Sequence, residues 1–340
     1  MNPGDLRGMA MSVRLGMMSF AHMHAHAYAA AIKSLPGATL AGVADHDPER
    51  AQQASALYGA PVFDTYAALL AADIDAVVIA SENIRHVELT QQAAAAGGHV
   101  LCEKPLATSS SDGIAMIEAC KEAGVQLMTA FPCRFSPAMV RLKAAVDEGK
   151  IGKVLAIRGT NRGRCPFGWF VDLPLSGGGA VIDHTVHVTD LMRWLLGSEV
   201  KEVYAEISNR MNHREFDDVG FLTMEFQNGV FATLDTSWSR PKSFPTWGDV
   251  TLSVTGEQGV LSLDMFSQNL VLYSDKTGGT TWEPWGSNID ELMMAAFVHA
   301  IGSGEPVPIT GEDGLRAAQV ALAAYESAKQ GRPVSPAAMQ

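Results

Sequence analysis

No stretch of this 340-residue chain approaches the roughly 20 consecutive apolar residues of a membrane span. Positive charge is scarce: 25 Lys and Arg stand against 37 Asp and Glu, for a net charge of -12. That balance argues against nucleic acid held on a basic surface, though not against an anionic substrate in a local basic pocket. Cysteine is sparse too. Cys102, Cys120, Cys133 and Cys165 form no C-x-x-C pair, so a reduced, cytoplasmic protein without structural disulfides is the simplest reading. The leader MNPGDLRGMAMSV lacks a charged segment followed by an apolar one, and lacks twin arginines; it reads as short and disordered. The most informative absence is glycine after the first strand. VRLGMM is followed by SFAHMHAHAY, with histidines at 22, 24 and 26. A His-x-His pair after a first strand suits a metal hydrolase; a tight strand-to-helix turn suits a dinucleotide, but that fingerprint asks for glycines.

The order of elements decides between these chemistries. Up to about residue 130, short apolar strands alternate with helices: VRLGMM, TLAGVAD, APVF, DAVVIAS, HVLCEKP and VQLMTAF are strands, with helices between most of them. This predicts parallel β-α-β units covered on both faces. Beyond about 150, KVLAIRGTN, EVYAEIS, VGFLTMEF, GVFATLDTSW, DVTLSVTG, GVLSLDM and NLVLYS follow one another, with Asn228-Gly229 marking a hairpin. Helices are expected in GGGAVIDHTVHVTDLMRWLLG, IDELMMAAFVHAIGSG and GLRAAQVALAAYESAKQG. An α/β chain of two domains results, 12–132 with a parallel sheet and 133–335 an α+β domain with a large open, mostly antiparallel sheet. A (β/α)8 hydrolase barrel does not fit this layout. If helical, the histidine stretch would put His22 and His26 on one face and turn His24 away, so no metal is expected.

Asp45 ends the second strand about 20 residues after the turn, where a dinucleotide-binding domain places the carboxylate for the adenosine ribose. An ordinary strand-end Asp ahead of a helix capped by Asp47-Pro48 is the competing reading. In LCEKPLATSS, Glu103-Lys104-Pro105 end a strand, which puts a lysine at the carboxyl edge of the sheet. In SGGGAVIDHTVHVTD, Asp183, His187 and Asp190 share a helix face, while His184, Val188, Leu191 and Leu195 form a core stripe. His187 is therefore the better general acid/base.

These motifs, with DAVVIASENIRHVELTQQAAAAGGHV, FPCRFSP and FQNGVFATLDTSW, resemble the Gfo/Idh/MocA oxidoreductases, the glucose-fructose oxidoreductase and inositol dehydrogenase family. The likeness runs through nearly the whole chain from residue 12. It implies a Rossmann-type first domain and NAD(P)-dependent hydride transfer at a hydroxyl or keto carbon of a sugar or cyclitol. NAD is favoured over NADP because Asp45 would repel a 2′-phosphate. The resemblance implies cofactor contacts from Ser19, Phe20, Ala21, His22, Asp45, Ser81, Asn83, His86, Glu103, Lys104 and Pro105. It implies catalysis by Lys104, His187 and Asp183. Arg134, Asn161, Arg164 and Trp169 join Asp183 and His187 as expected substrate contacts; aromatic planes and polar heads suit a carbohydrate. Arg162 and Arg164 could instead face solvent, and Trp169-Phe170 could be loop packing. The family's G-x-G-x-x-G falls on Ser19, Ala21 and His24. Backbone N–H groups at Phe20, Ala21 and His22 could still hold pyrophosphate. Glu82 and Thr185 replace a proline and a glycine frequent in the family. A non-catalytic ligand binder on the same fold is the alternative. A polyol partner, no nucleic acid or membrane, and a homodimer or homotetramer through the second sheet complete the expectations.

Overall fold

The computed structural model describes residues 12–244, 246–276, 279–284 and 286–339; the leader lies outside them. The first half is built from β1 (Val13–Met18), α1 (Ala25–Ser34), β2 (Ala38–Ala44), α2 (Pro48–Tyr58), α3 (Tyr66–Leu70), β3 (Ala76–Ile79), α4 (His86–Ala95), β4 (His99–Cys102), α5 (Ser110–Ala123) and β5 (Leu127–Thr129). The five strands are all parallel, in the order β2-β1-β3-β4-β5. The strand expected at APVF shrinks to a single parallel bridge, Val43↔Val62. Pro61 supplies no N–H there, and a proline restricts strand pairing to an edge. With that bridge as a vestigial outer strand, the order is the doubly wound one, whose direction of winding reverses between β1 and β3. The strands are apolar throughout because helices cover both faces; β3 is buried along its whole length. Asp47 caps α2 by accepting from the N–H groups of Glu49 and Arg50, with Pro48 in the first turn.

The second half contains α6 (Pro137–Asp147), β6 (Val154–Thr160), α7 (Leu173–Ser176), α8 (Ala180–Leu196), β7 (Val200–Ser208), β8 (Val219–Phe226), β9 (Phe231–Asp235), β10 (Thr251–Gly256), β11 (Gly259–Asp264), β12 (Asn269–Ser274) and β13 (Gly279–Pro284). Then come α9 (Ile289–Ser303) and α10 (Gly311–Gln330). Six strands form one sheet in the order β11-β10-β6-β9-β8-β7. All its neighbours are antiparallel except β6 and β9. The hairpin at Asn228-Gly229 joins β8 to β9, with Gly229 at φ 83°. α8 lies on one face of this sheet. A Cβ on Gly159 in β6 would stand 2.7 Å from Val188 and Met192, so a strand glycine sets how closely the helix approaches. Three elements carry no clear signal in the sequence, one of them α7, a single turn of four residues. α6 announces itself only by Pro137 at its first turn, and β13 has no clean alternation.

The chain divides into two compact units. One runs to Pro132 and takes back Asn288–Leu315; the other comprises Cys133–Ser287 and Arg316 onward. α9, expected with the second domain, thus belongs to the first, where it packs on α1. No helix among the described residues is long and apolar enough to cross a membrane.

Candidate active site

In the first unit the site residues gather at the carboxyl ends of β1, β3 and β4, at the point where the winding reverses. Ser19 follows β1 at φ 74°, a left-handed conformation that favours glycine. Its hydroxyl donates to the Asp45 carboxylate (3.1 Å) and accepts from the Ala21 N–H (3.1 Å). The Phe20 N–H donates to Asp45 (2.7 Å) and the His22 N–H to the Ala80 carbonyl (2.9 Å). All three N–H groups expected to hold pyrophosphate therefore donate within the protein. Asp45 also accepts from the Asp47 N–H (2.9 Å) and from Arg50 Nε (3.1 Å) and Nη2 (2.8 Å). Burial pushes its carboxyl up, but the Arg50 bonds and the Asp47 and Phe20 N–H groups outweigh this and hold it below its ordinary value. Glu82 faces Arg85 (3.3 Å), His46 (3.4 Å) and Arg50 (3.7 Å).

Ser81, Asn83 and His86 are buried beyond β3. His86 Nδ1 sits 3.0 Å from the Pro105 carbonyl and 3.3 Å from that of Leu106, so it fixes the turn after Lys104. Burial pushes its imidazole down, toward the neutral form. Lys104 is buried and precedes a cis peptide to Pro105. Its N–H donates to Glu103 Oε2 (2.9 Å). Glu103 Oε1 accepts from the Tyr28 hydroxyl (2.5 Å) and lies 3.1 Å from His24 Nδ1 and 3.5 Å from His22 Nδ1. This corrects the expectation that His24 turns away from His22. Residues 22–24 form a turn, and α1 begins only at Ala25, so the i,i+2 imidazoles converge, with ring centroids 4.6 Å apart. Burial disfavours charge on Glu103 and His24. The histidines outweigh it at Glu103, whose carboxyl falls well below its ordinary value, and Glu103 outweighs it at His24, which is raised.

In the second unit α8 is buried around nearly its whole circumference, so its faces are less distinct than the sequence pattern suggests. Asp183 Oδ2 accepts from Trp238 Nε1 (3.2 Å) and lies 3.2 Å from His184 Nε2. His187 is buried one turn on. Asp190 receives two bonds from Arg134, at 2.7 and 2.5 Å, both residues being buried. The Arg134 fork, expected on substrate, is thus turned onto α8. Asn161 is buried and donates to the Asp249 carbonyl (3.0 Å). Arg162 pairs with Asp249 (2.9 Å) and Arg164 donates to the Phe244 carbonyl. Trp169 stacks on Phe170 at 3.9 Å, against a cluster of Ala180, Phe216 and Trp238, so the pair packs beside the indole that holds Asp183.

The glycine run ahead of α8 makes room for another part of the chain. A Cβ on Gly179 would stand 2.0 Å from the Asp217 carbonyl oxygen. Asp217 accepts from the N–H groups of Gly179 and Val181 and from the Tyr325 hydroxyl, each at 2.8 Å. It caps α8 from outside the helix, a role that sequence inspection missed because the two segments lie 38 residues apart.

Residues 14–131 match the family profile described as "Oxidoreductase family, NAD-binding Rossmann fold", and 139–262 match "GFO/IDH/MocA C-terminal domain". The chain belongs to the GFO/IDH/MocA oxidoreductase family. Among relatives of this GFO/IDH/MocA protein, inositol 2-dehydrogenase 2 of Saccharopolyspora erythraea is 32% identical over 94% of each chain. Myo-inositol 2-dehydrogenase of Thermotoga maritima is 31% identical over 77% of this chain and 80% of its own. A solved structure of GenD2 from gentamicin A biosynthesis in complex with NAD is similar at TM-score 0.87 and 26% identity, covering 96% of this chain and 97% of that one. The family's oxidoreductase character, its NAD-binding Rossmann unit and its second, sheet-bearing unit are all present in this GFO/IDH/MocA member.

Proposed function

We propose that the protein transfers a hydride between NAD and a hydroxyl-bearing carbon of a sugar or cyclitol. The observation that carries this reading is the buried Lys104 at the carboxyl end of β4, beside the reversal of strand order, in a chain related to inositol dehydrogenases. The nicotinamide supplies the hydride chemistry. Lys104 donates to the reacting substrate oxygen and stabilises negative charge on it. His187 accepts the hydroxyl proton in oxidation and returns it in reduction. Asp183, with Trp238 fixing one oxygen, holds substrate hydroxyls, and Trp169 offers an aromatic plane to a sugar face. Asp45 bonds the adenosine ribose, which favours NAD. Arg50, already against that carboxylate, leaves NADP as the weaker second cofactor.

The outer face of the six-stranded sheet carries exposed Leu155, Phe221 and Phe231. An unpaired apolar face of this kind supports a homodimer or homotetramer formed through it. We place the enzyme in the cytoplasm, working on a small polyol, with neither membrane nor nucleic acid as partner.

Calorimetric titration with NAD(H) and NADP(H), followed by a panel of cyclitols and sugars read by NADH absorbance, tests the proposal. Tighter binding of NAD and turnover of at least one polyol are expected. NAD binding without turnover across the panel would overturn the sugar dehydrogenase reading. Failure to bind either nucleotide would overturn the oxidoreductase reading itself.

A further inference from the structure

We propose that His22, His24 and Glu103 form a divalent-metal site, suited to zinc, at the start of α1. The donor set is two imidazoles and a carboxylate, a combination zinc uses in sites that keep one position open. His22 and His24 come from the turn after β1, and Glu103 from the end of β4, so the sheet itself brings them together. Their donor atoms all lie within 4.8 Å of one another. A tetrahedral ion with bonds of about 2.0–2.1 Å needs donors about 3.3 Å apart; Glu103 Oε1 lies 3.5 Å from His22 Nδ1 and 3.1 Å from His24 Nδ1. A helix through this stretch would turn His24 away from His22; the turn at 22–24 instead brings the two rings together.

The surroundings suit an ion. The Tyr28 hydroxyl donates to Glu103 Oε1 (2.5 Å), the kind of outer contact that orients a ligating carboxylate. The Lys104 N–H holds the other oxygen, Oε2. Glu103 and His22 are buried, whereas the His24 side chain is 33% exposed, which gives the ion an entry path. Asp290, in the first turn of α9, acts electrostatically on His24 and Glu103 and adds negative charge; Lys104 opposes it. Binding displaces the 3.2 Å bond from the His24 N–H to His22 Nδ1 and the proton shared between His24 Nδ1 and Glu103 Oε1.

The same site bears on the turn's missing anion donors. The N–H groups of Phe20, Ala21 and His22 are committed inside the protein, and a cation here would put positive charge where the fold seats a dinucleotide's phosphates.

The full-length protein, stripped with a chelator, is titrated with Zn²⁺ by calorimetry and with Co²⁺ by visible absorption. One equivalent is expected to bind, with a Co²⁺ spectrum of low coordination number. Glu103→Gln and His24→Gly should each weaken binding about a hundredfold or more, and Tyr28→Phe by about tenfold, the scale of lost outer contacts. Circular dichroism reports folding, and should Glu103→Gln not fold, His24→Gly on the partly exposed turn decides. Metal uptake by the wild type no tighter than by His24→Gly overturns the site. Nucleotide titration of the metal-free protein is a separate readout, so loss of the dehydrogenase reading would leave this inference standing, and the reverse.

Discussion

Ser19 adopts a backbone conformation that ordinarily belongs to glycine, and its hydroxyl offsets the strain with two bonds, to Asp45 and Ala21. Valine is β-branched and has no hydroxyl to make those bonds. Ser19→Val is expected to cost roughly 1–3 kcal/mol in urea-unfolding free energy, with weaker NAD binding; unchanged stability would show that the turn relaxes freely. Asp45 sets a pH dependence. Its folded pKa is depressed, so its contribution is complete above the unfolded value and is lost as pH falls through the folded one. Wild-type stability should therefore drop more steeply than that of Asp45→Asn below about pH 4, measured by urea midpoints along a pH series. At the chemistry itself, Lys104→Met is expected to lower kcat by about 10²–10³-fold. His187→Asn is expected to lower it by about 10²–10⁴-fold and to remove a limb of the pH-rate profile. Activity insensitive to both would assign the chemistry elsewhere.

At the scale of elements, α8 depends on groups distant in sequence. Asp217 caps its start, and Arg134 neutralises Asp190 near its middle. Removing one member of a buried ion pair strands the other, at a cost of roughly 3–5 kcal/mol. Arg134→Met should thus reduce stability by that order while leaving KM nearly unchanged in protein that remains folded. A large rise in KM with stability intact would restore Arg134 to the substrate. Most elements were legible in the sequence, because apolar runs and helical spacing are local. APVF and α6 were not: Pro61 reduced the first to a bridge, and the second offers only a proline and a weak stripe. Site residues were legible as positions but less so as roles. The Lys104 position follows from its strand; Arg134 bonding Asp190 follows from no local pattern.

At the scale of the whole molecule, sequence order and spatial grouping differ, since α9 belongs with a sheet completed some 160 residues before it (β5 ends at Thr129, α9 starts at Ile289). Phe221 and Phe231 stand exposed on the open sheet, and Phe221→Glu with Phe231→Glu should shift the protein toward monomer in light scattering coupled to gel filtration, because a charge in an apolar interface is costly. An unchanged mass would place the interface elsewhere. By itself the sequence determined the alternation of strands and helices, the parallel and antiparallel halves, and the Glu103-Lys104-Pro105 and Asp183-His187 motifs. Each of these is written in periodicity or in contiguous residues. The tertiary structure alone decided that the turn's N–H groups are committed, that the glycine run accommodates Asp217, and that two histidines meet Glu103. Apart from the local bond between Ser19 and Ala21, those facts rest on hydrogen bonds and contacts between segments far apart in the chain, where partners are set by how strands and helices pack.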